Sequence, residues 1–179
     1  SYCNGDTTMS QIKVNSIVPL GGLPSGANGG IIQVVTAHKS DASSTTSTSF
    51  VDSGLEATIT PQSNSSKILI IADAKVGMAS GNIGYVGLFR GSTQICLGDT
   101  NGSAIRSYGA MDGTSHSHNA YPANCVFLDS PSTTSSTTYK IRYRGNNGNT
   151  VRLNRAGSDR SNGTDGVFAS NITLFEIST

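Results

Sequence analysis

Leu55, Ala57 and Ile59 alternate with Glu56, Thr58 and Thr60, a period of two that predicts a strand with one face turned inward. Pro61-Gln62-Ser63-Asn64-Ser65-Ser66 supplies the turn that follows. In the next segment, Lys67–Val76, the residues Ile68, Leu69, Ile70 and Ile71 succeed one another without a polar break. That is the pattern of a strand covered on both faces. Shorter apolar runs predict further strands at Ile31–Ala37, Gly84–Phe89, Thr93–Leu97, Ala104–Tyr108, Asn124–Leu128, Thr138–Arg144, Thr150–Asn154 and Ser170–Ile177. Turn signals separate them at Gly91-Ser92, Asn101-Gly102, Asp129-Ser130-Pro131 and Asn147-Gly148, and a Ser/Thr-rich loop runs from Ser40 to Ser49. No segment keeps a helical period. About nine or ten short strands with turns between them predict an all-β fold, an antiparallel β-sandwich of the jelly-roll type, over residues 30–179. A lone sandwich leaves strand edges open, and association of copies is one way to cover them.

Residues 1–29 follow another pattern. One strand can form over Ile12-Lys13-Val14-Asn15-Ser16-Ile17-Val18, but the stretch from Pro19 to Gly30 is too rich in Pro and Gly for a regular element. Ile12, Val14, Ile17, Val18, Leu20 and Leu23 make the segment more apolar than a disordered tail. It therefore reads as an extended N-terminal arm that docks somewhere, as an attachment or an oligomer contact.

Composition sharpens this picture. A chain of 179 residues fits one domain. Its 27 Ser and 19 Thr, against only 13% charged residues, put hydroxyls where a helical protein would carry Glu and Lys. Thr in particular suits a half-buried pleated surface. A hydrophobic fraction of 35% is modest for so many strands and hints that other copies complete the core. The net charge of +1 provides no field that would draw the chain to nucleic acid or a membrane surface. No apolar stretch approaches the ~18 residues of a membrane span, and Ser1 to Ser10 does not read as a signal peptide. Cys3, Cys96 and Cys125 lack metal-ligand spacing. Cys96 and Cys125 both sit in apolar runs, where they can form a disulfide or pack as free thiols, with the free form favoured because Cys packs as a small hydrophobe.

The search for catalytic chemistry is negative. There is no phosphate-cradling loop followed by Lys and Ser/Thr, no Gly-x-Ser-x-Gly elbow, and no carboxylate pair among the scattered 9 Asp and 2 Glu. The expectation is a protein that binds or builds, without catalytic residues or cofactor. His116-Ser117-His118 places two imidazoles on one side of an extended chain, and three copies around a threefold axis would supply six nitrogens to a transition metal. The simpler reading is a pair of exposed loop histidines, with no metal. From Tyr139 to Arg155 the pattern predicts a hairpin with one apolar and one cationic face. Tyr139, Ile141 and Tyr143 alternate there with Lys140, Arg142 and Arg144, and Arg152 lies between Val151 and Leu153. Such a stripe can grip a glycan or an acidic partner, or it can be a solvated face paired with Asp. Tyr108 and Tyr121, in the Gly-, Asn- and Ser-rich loop region Ser107–Ala123, add ring stacking to the candidate ligand residues. A second such loop is Arg155–Gly166.

Several phrases carry a resemblance. They are Gly29-Gly30-Ile31-Ile32-Gln33-Val34-Val35, then Thr45-Thr46-Ser47-Thr48-Ser49-Phe50-Val51-Asp52, leading into Gly54-Leu55-Glu56-Ala57-Thr58-Ile59-Thr60-Pro61. Ser65-Ser66-Lys67-Ile68-Leu69-Ile70, Phe127-Leu128-Asp129-Ser130-Pro131, Thr137-Thr138-Tyr139-Lys140 and Asn171-Ile172-Thr173-Leu174-Phe175-Glu176-Ile177 follow in order. Over about residues 29–179 the chain resembles the small virion structural and fibre-like proteins of tailed phages that infect marine cyanobacteria and other marine bacteria. Gln11 to Val18 is similar to the start of such proteins, with Met9-Ser10 as the older beginning. The resemblance implies a protein on the virion exterior or a tail appendage, a homotrimer held by its arm to other virion proteins of capsid or tail. The leading expectation is a fibre or receptor-binding head that contacts host cell-surface polysaccharide. The alternative it leaves is a capsid or tail decoration protein, anchored by the arm and without a host-binding role. Fibre tips of other phages hold iron on His-x-His motifs, whereas this chain has a single pair.

Overall fold

The computed structural model describes residues 30–79, 81–113 and 118–179. The arm, with Ile12, Val14, Ile17, Val18, Leu20 and Leu23, and also His116, lie outside the described residues. Those described form eleven strands and no helix. They are β1 (Ile31–Lys39), β2 (Ser43–Thr45), β3 (Val51–Ile59), β4 (Lys67–Met78), β5 (Ile83–Arg90), β6 (Thr93–Ile95), β7 (Gly109–Asp112), β8 (Ala120–Asp129), β9 (Thr137–Gly145), β10 (Val151–Leu153) and β11 (Ser170–Ile177).

Two antiparallel sheets pack face to face. In the first, β4 carries β8 along one edge and β11, then β10, along the other. β1 lies beyond β11 and β2 beyond β10. The second sheet runs β3-β9-β5, with β7 and β6 sharing the far edge of β5. The chain changes sheet between β2 and β3, β3 and β4, β4 and β5, β7 and β8, β8 and β9, and β9 and β10. The antiparallel sandwich that the alternating pattern predicts is therefore the observed architecture.

The inward rows meet between the sheets. Leu55 and Ile59 from β3, Ile68 and Ile70 from β4, Val86 and Leu88 from β5, and Tyr139, Ile141 and Tyr143 from β9 are all at most 2% exposed. Each such aliphatic side chain stabilises the fold by about 1.5–3 kcal/mol before its ordering cost is counted. Polar groups close the ends. Asn154, fully buried with φ of 61°, donates from its amide to the carbonyls of Lys39 and Asp41 at 2.8 and 3.1 Å and accepts from Ser170 Oγ at 2.5 Å. That network ties the ends of β1, β10 and β11 together without an orphaned polar atom. At the β8 end, Arg90 Nη1 donates to both Asp129 carboxylate oxygens at 2.9 and 2.8 Å, and the Tyr139 hydroxyl donates to Asp129 at 2.7 Å.

Three expectations are corrected. The residues Tyr139–Arg155 do not form a hairpin, because β9 belongs to the second sheet and β10 to the first. The segment between them crosses the sandwich edge, and Gly145 N donates to Ser47 O rather than extending a ladder to β10. Ala104–Tyr108 is not a strand; the strand that pairs with β5 beside β6 is Gly109–Asp112, just after it in the chain. The run in β4 is also not covered on both faces by the described residues. Ile68 and Ile70 are fully buried, but Leu69 is only half-buried and Ile71 is 42% exposed. No described element stacks on the outside of the first sheet.

Candidate functional site

On the outside of the second sheet the sequence pattern of β9 survives intact. With Tyr139, Ile141 and Tyr143 turned into the core, the pleat turns Lys140, Arg142 and Arg144 outward. What the local pattern could not show is who stands beside them. In β3 the register shifts between Asp52 and Leu55, where Gly54 adopts φ of +81° and buried Ser53 donates to the Ile141 carbonyl at 2.6 Å. This bulge sets Asp52 opposite Arg142 and Glu56 opposite Lys140. Lys140 Nζ then lies 3.2 Å from both Asp52 and Glu56, and Arg142 Nε donates to Asp52 at 2.5 Å. Burial pushes the Asp52 carboxyl up, but hydrogen bonds from Arg142 and Lys140 outweigh it and hold it below its ordinary value. Hydrogen bonds to Glu56 and Asp52 raise Lys140.

The neighbouring strand β5 supplies rings. The Arg142 guanidinium lies 4.6 Å from the Phe89 ring centroid and that of Arg144 lies 5.9 Å from Tyr85, within cation–π range. Phe50 meets Phe89 edge-on at 5.5 Å. Gly87 leaves room for this cluster, since a Cβ there would come within 2.9 Å of the Phe89 ring. Beside it opens a groove of about 490 Å³, lined by Arg90, Pro131, Thr133, Thr138, Lys140 and Arg142 among others. Three cations on this groove, Arg90, Lys140 and Arg142, are matched by three carboxylates, Asp129, Asp52 and Glu56. Paired charges and threonine hydroxyls suit a neutral, hydroxyl-rich ligand better than an anion.

The other candidate residues stand apart. Arg152 lies on β10, in a smaller hollow of about 230 Å³ with Ser43, Ser44, Arg155 and Asp159. The sheet change between β9 and β10 separates it from Lys140, Arg142 and Arg144. Tyr108 packs against the core, and its hydroxyl is buried without a hydrogen-bond partner among the described residues. Its phenol is pushed well up by burial and then by nearby Cys125 and Cys96. Tyr121 is half-buried on β8, opposite Val76, in the first sheet. His118 pairs with Asp165 at 3.0 Å, and this hydrogen bond lowers the Asp165 carboxyl. Among the described residues no group of three His, Cys, Asp or Glu is placed to hold a metal.

A second surface was missed in the sequence. On the outside of the first sheet, Val34, Phe175, Leu69 and Leu128 stand in one register row across β1, β11, β4 and β8. The next row is Thr36, Thr173, Ile71 and Val126. Ile31, Val34, Ile71, Val126 and Leu128 are 42–69% exposed there. The signal that could have found this face was the unbroken Ile68–Ile71 run, which puts apolar residues on both faces of β4.

No known protein family matches the chain, and no curated protein is similar to it.

Proposed function

We propose that this chain is a non-enzymatic structural protein of a phage particle, the head of a fibre or receptor-binding appendage assembled from copies of itself, a homotrimer. The observation that carries the reading is the open apolar face of the first sheet. Four strands about 4.8 Å apart and two side-chain rows about 6.8 Å apart give a patch of roughly 260 Å², interrupted only by Thr36 and Thr173. An exposed apolar patch of a few hundred Å² on a single chain is often functional. A second copy is the occupant we assign. The β4 sequence is written for a strand covered on both faces, and the face carries both signs of charge, with Lys67 at one end and the Asp73–Lys75 pair at the other. With a net charge of only +1, copies do not repel one another.

Strand order supports the jelly-roll reading. The order β1-β11-β4-β8 facing β3-β9-β5-β7 is what two interlocked Greek keys produce, an architecture that viral capsid and lectin domains use. The charge-balanced groove beside Lys140 and Arg142 supports host polysaccharide, rather than an acidic protein, as the ligand of the head.

The test begins with antibodies raised against the purified chain. They should label the particles and block adsorption to host cells. Labelling without a block would shift the role to decoration of capsid or tail, and no labelling would sink the virion reading. In solution the full chain should have the mass of a trimer, and Val126→Lys should return it to a folded monomer. A trimer indifferent to that charge would move the contact to another surface, residues 1–29 included.

A further inference from the structure

Cys96 follows β6 at the edge of the second sheet, and Cys125 sits on the inward row of β8 at the edge of the first. Their sulfurs are 3.7 Å apart, with the Cys125 thiol directed at Cys96 Sγ. Both are free thiols in this structure. We propose that the pair is a modification site, poised to close a disulfide that staples the two sheets together when the folded chain meets a disulfide oxidant such as oxidised glutathione. This inference is independent of the phage reading.

The geometry favours closure. A disulfide needs about 2.05 Å between sulfurs, so about 1.7 Å must be gained. One partner is fixed and the other is not. Cys125 is held by its register with Ala72 in β4, whereas Cys96 lies at the end of a three-residue strand with φ of 55°. The twelve residues from Leu97 to Tyr108 that follow contain no strand and can absorb the adjustment. Only the short β6 and β7 stand on the outer edge of β5 there.

Access sets the order of events. Cys125 is 3% exposed, while Cys96 is only half-buried and is the sulfur an oxidant can reach. The Cys96 thiolate attacks one sulfur of oxidised glutathione, forming a mixed disulfide and releasing one glutathione thiolate, which takes up a proton. Cys125 Sγ then attacks Cys96 Sγ as its proton passes to the departing glutathione sulfur, which leaves as the second glutathione thiol. Two protein thiols are oxidised to one disulfide, and one oxidised glutathione is reduced to two thiols. Under the reducing poise of a cytosol the pair stays open, and in an oxidising medium it closes.

The full chain, incubated with oxidised glutathione and then denatured, is weighed intact and mapped by peptide mass. The expected result is the loss of two hydrogens per chain, a peptide linking Cys96 to Cys125, and a thermal midpoint about 5–10 °C above that of the dithiothreitol-reduced protein. Cys3→Ser should behave in the same way, while Cys96→Ser and Cys125→Ala should each lose both the link and the thermal gain. Persistence of free Cys96 and Cys125, glutathione adducts that never resolve, or a link through Cys3 would each overturn the proposal.

Discussion

Ile70 and Ile71 are neighbours in β4 with opposite fates, and substituting each by Asp tests which face of the first sheet is core. Ile70 is fully buried, between Leu174 of β11 and Phe127 of β8 in register. Replacing it forfeits about 1.5–3 kcal/mol of burial and places an unpaired carboxylate among aliphatic side chains, at a further cost of about 3 kcal/mol or more. The sum is comparable to the whole stability of a domain, about 5–15 kcal/mol, so Ile70→Asp should be largely unfolded. Ile68, also fully buried, should respond in the same way. Ile71 is 42% exposed, beside Thr173 and Val126. A carboxylate there stays hydrated, and the loss should be about 1 kcal/mol. Circular dichroism melts of both variants, at a concentration where the chain is monomeric, provide the comparison. If Ile70→Asp melted like the parent, or if Ile71→Asp were unfolded to the same degree, the inward row of β4 would be assigned to the wrong face.

Two further outcomes follow from buried groups. Tyr139→Phe removes a hydrogen bond to an ionised partner at a fully buried position and should cost about 1.5–3 kcal/mol, or about 3–12 °C in thermal midpoint. A change below about 0.5 kcal/mol by denaturant titration would show that Arg90 alone satisfies Asp129. Burial, and then the neighbouring Cys96, push the Cys125 thiol from an ordinary 9.0 up to about 12. The unfolded chain therefore releases this proton at lower pH than the folded one. The stability involved is whole below about pH 9 and is lost as pH rises toward about 12. Reduced protein should lose more stability than Cys125→Ser between about pH 8 and about pH 11 in urea titrations, and equal slopes would refute the shift.

The candidate site was half legible before folding. Alternation along β9 is a local property, so the outward set of Lys140, Arg142 and Arg144 and the inward set of Tyr139, Ile141 and Tyr143 could be assigned from neighbours in the chain alone. Asp52 and Glu56 lie more than eighty residues away, and only the β3 bulge brings them into register with those cations. Arg152 shows the converse. Its spacing suited a hairpin partner, but the end of β4 offered an edge for Val151–Leu153, and that pairing drew β10 into the other sheet. Tyr108, in a run rich in small polar residues, had no local mark to say that its ring would fill the gap beside Cys96 and Cys125.

By itself, then, the sequence determined the long strands and the inward row of each, because a period of two and turn residues such as Asn147-Gly148 act over a few residues, whereas the short β2 and β7 came only with the fold. It also implied, through Ile68–Ile71, that β4 needs cover on two sides. Which strands pair, which charges neutralise one another, which cysteines meet and which side of β4 stays open were decided only by the tertiary structure. These depend on contacts between residues distant in the chain, whose closure is settled by the packing of the whole sandwich rather than by any local pattern.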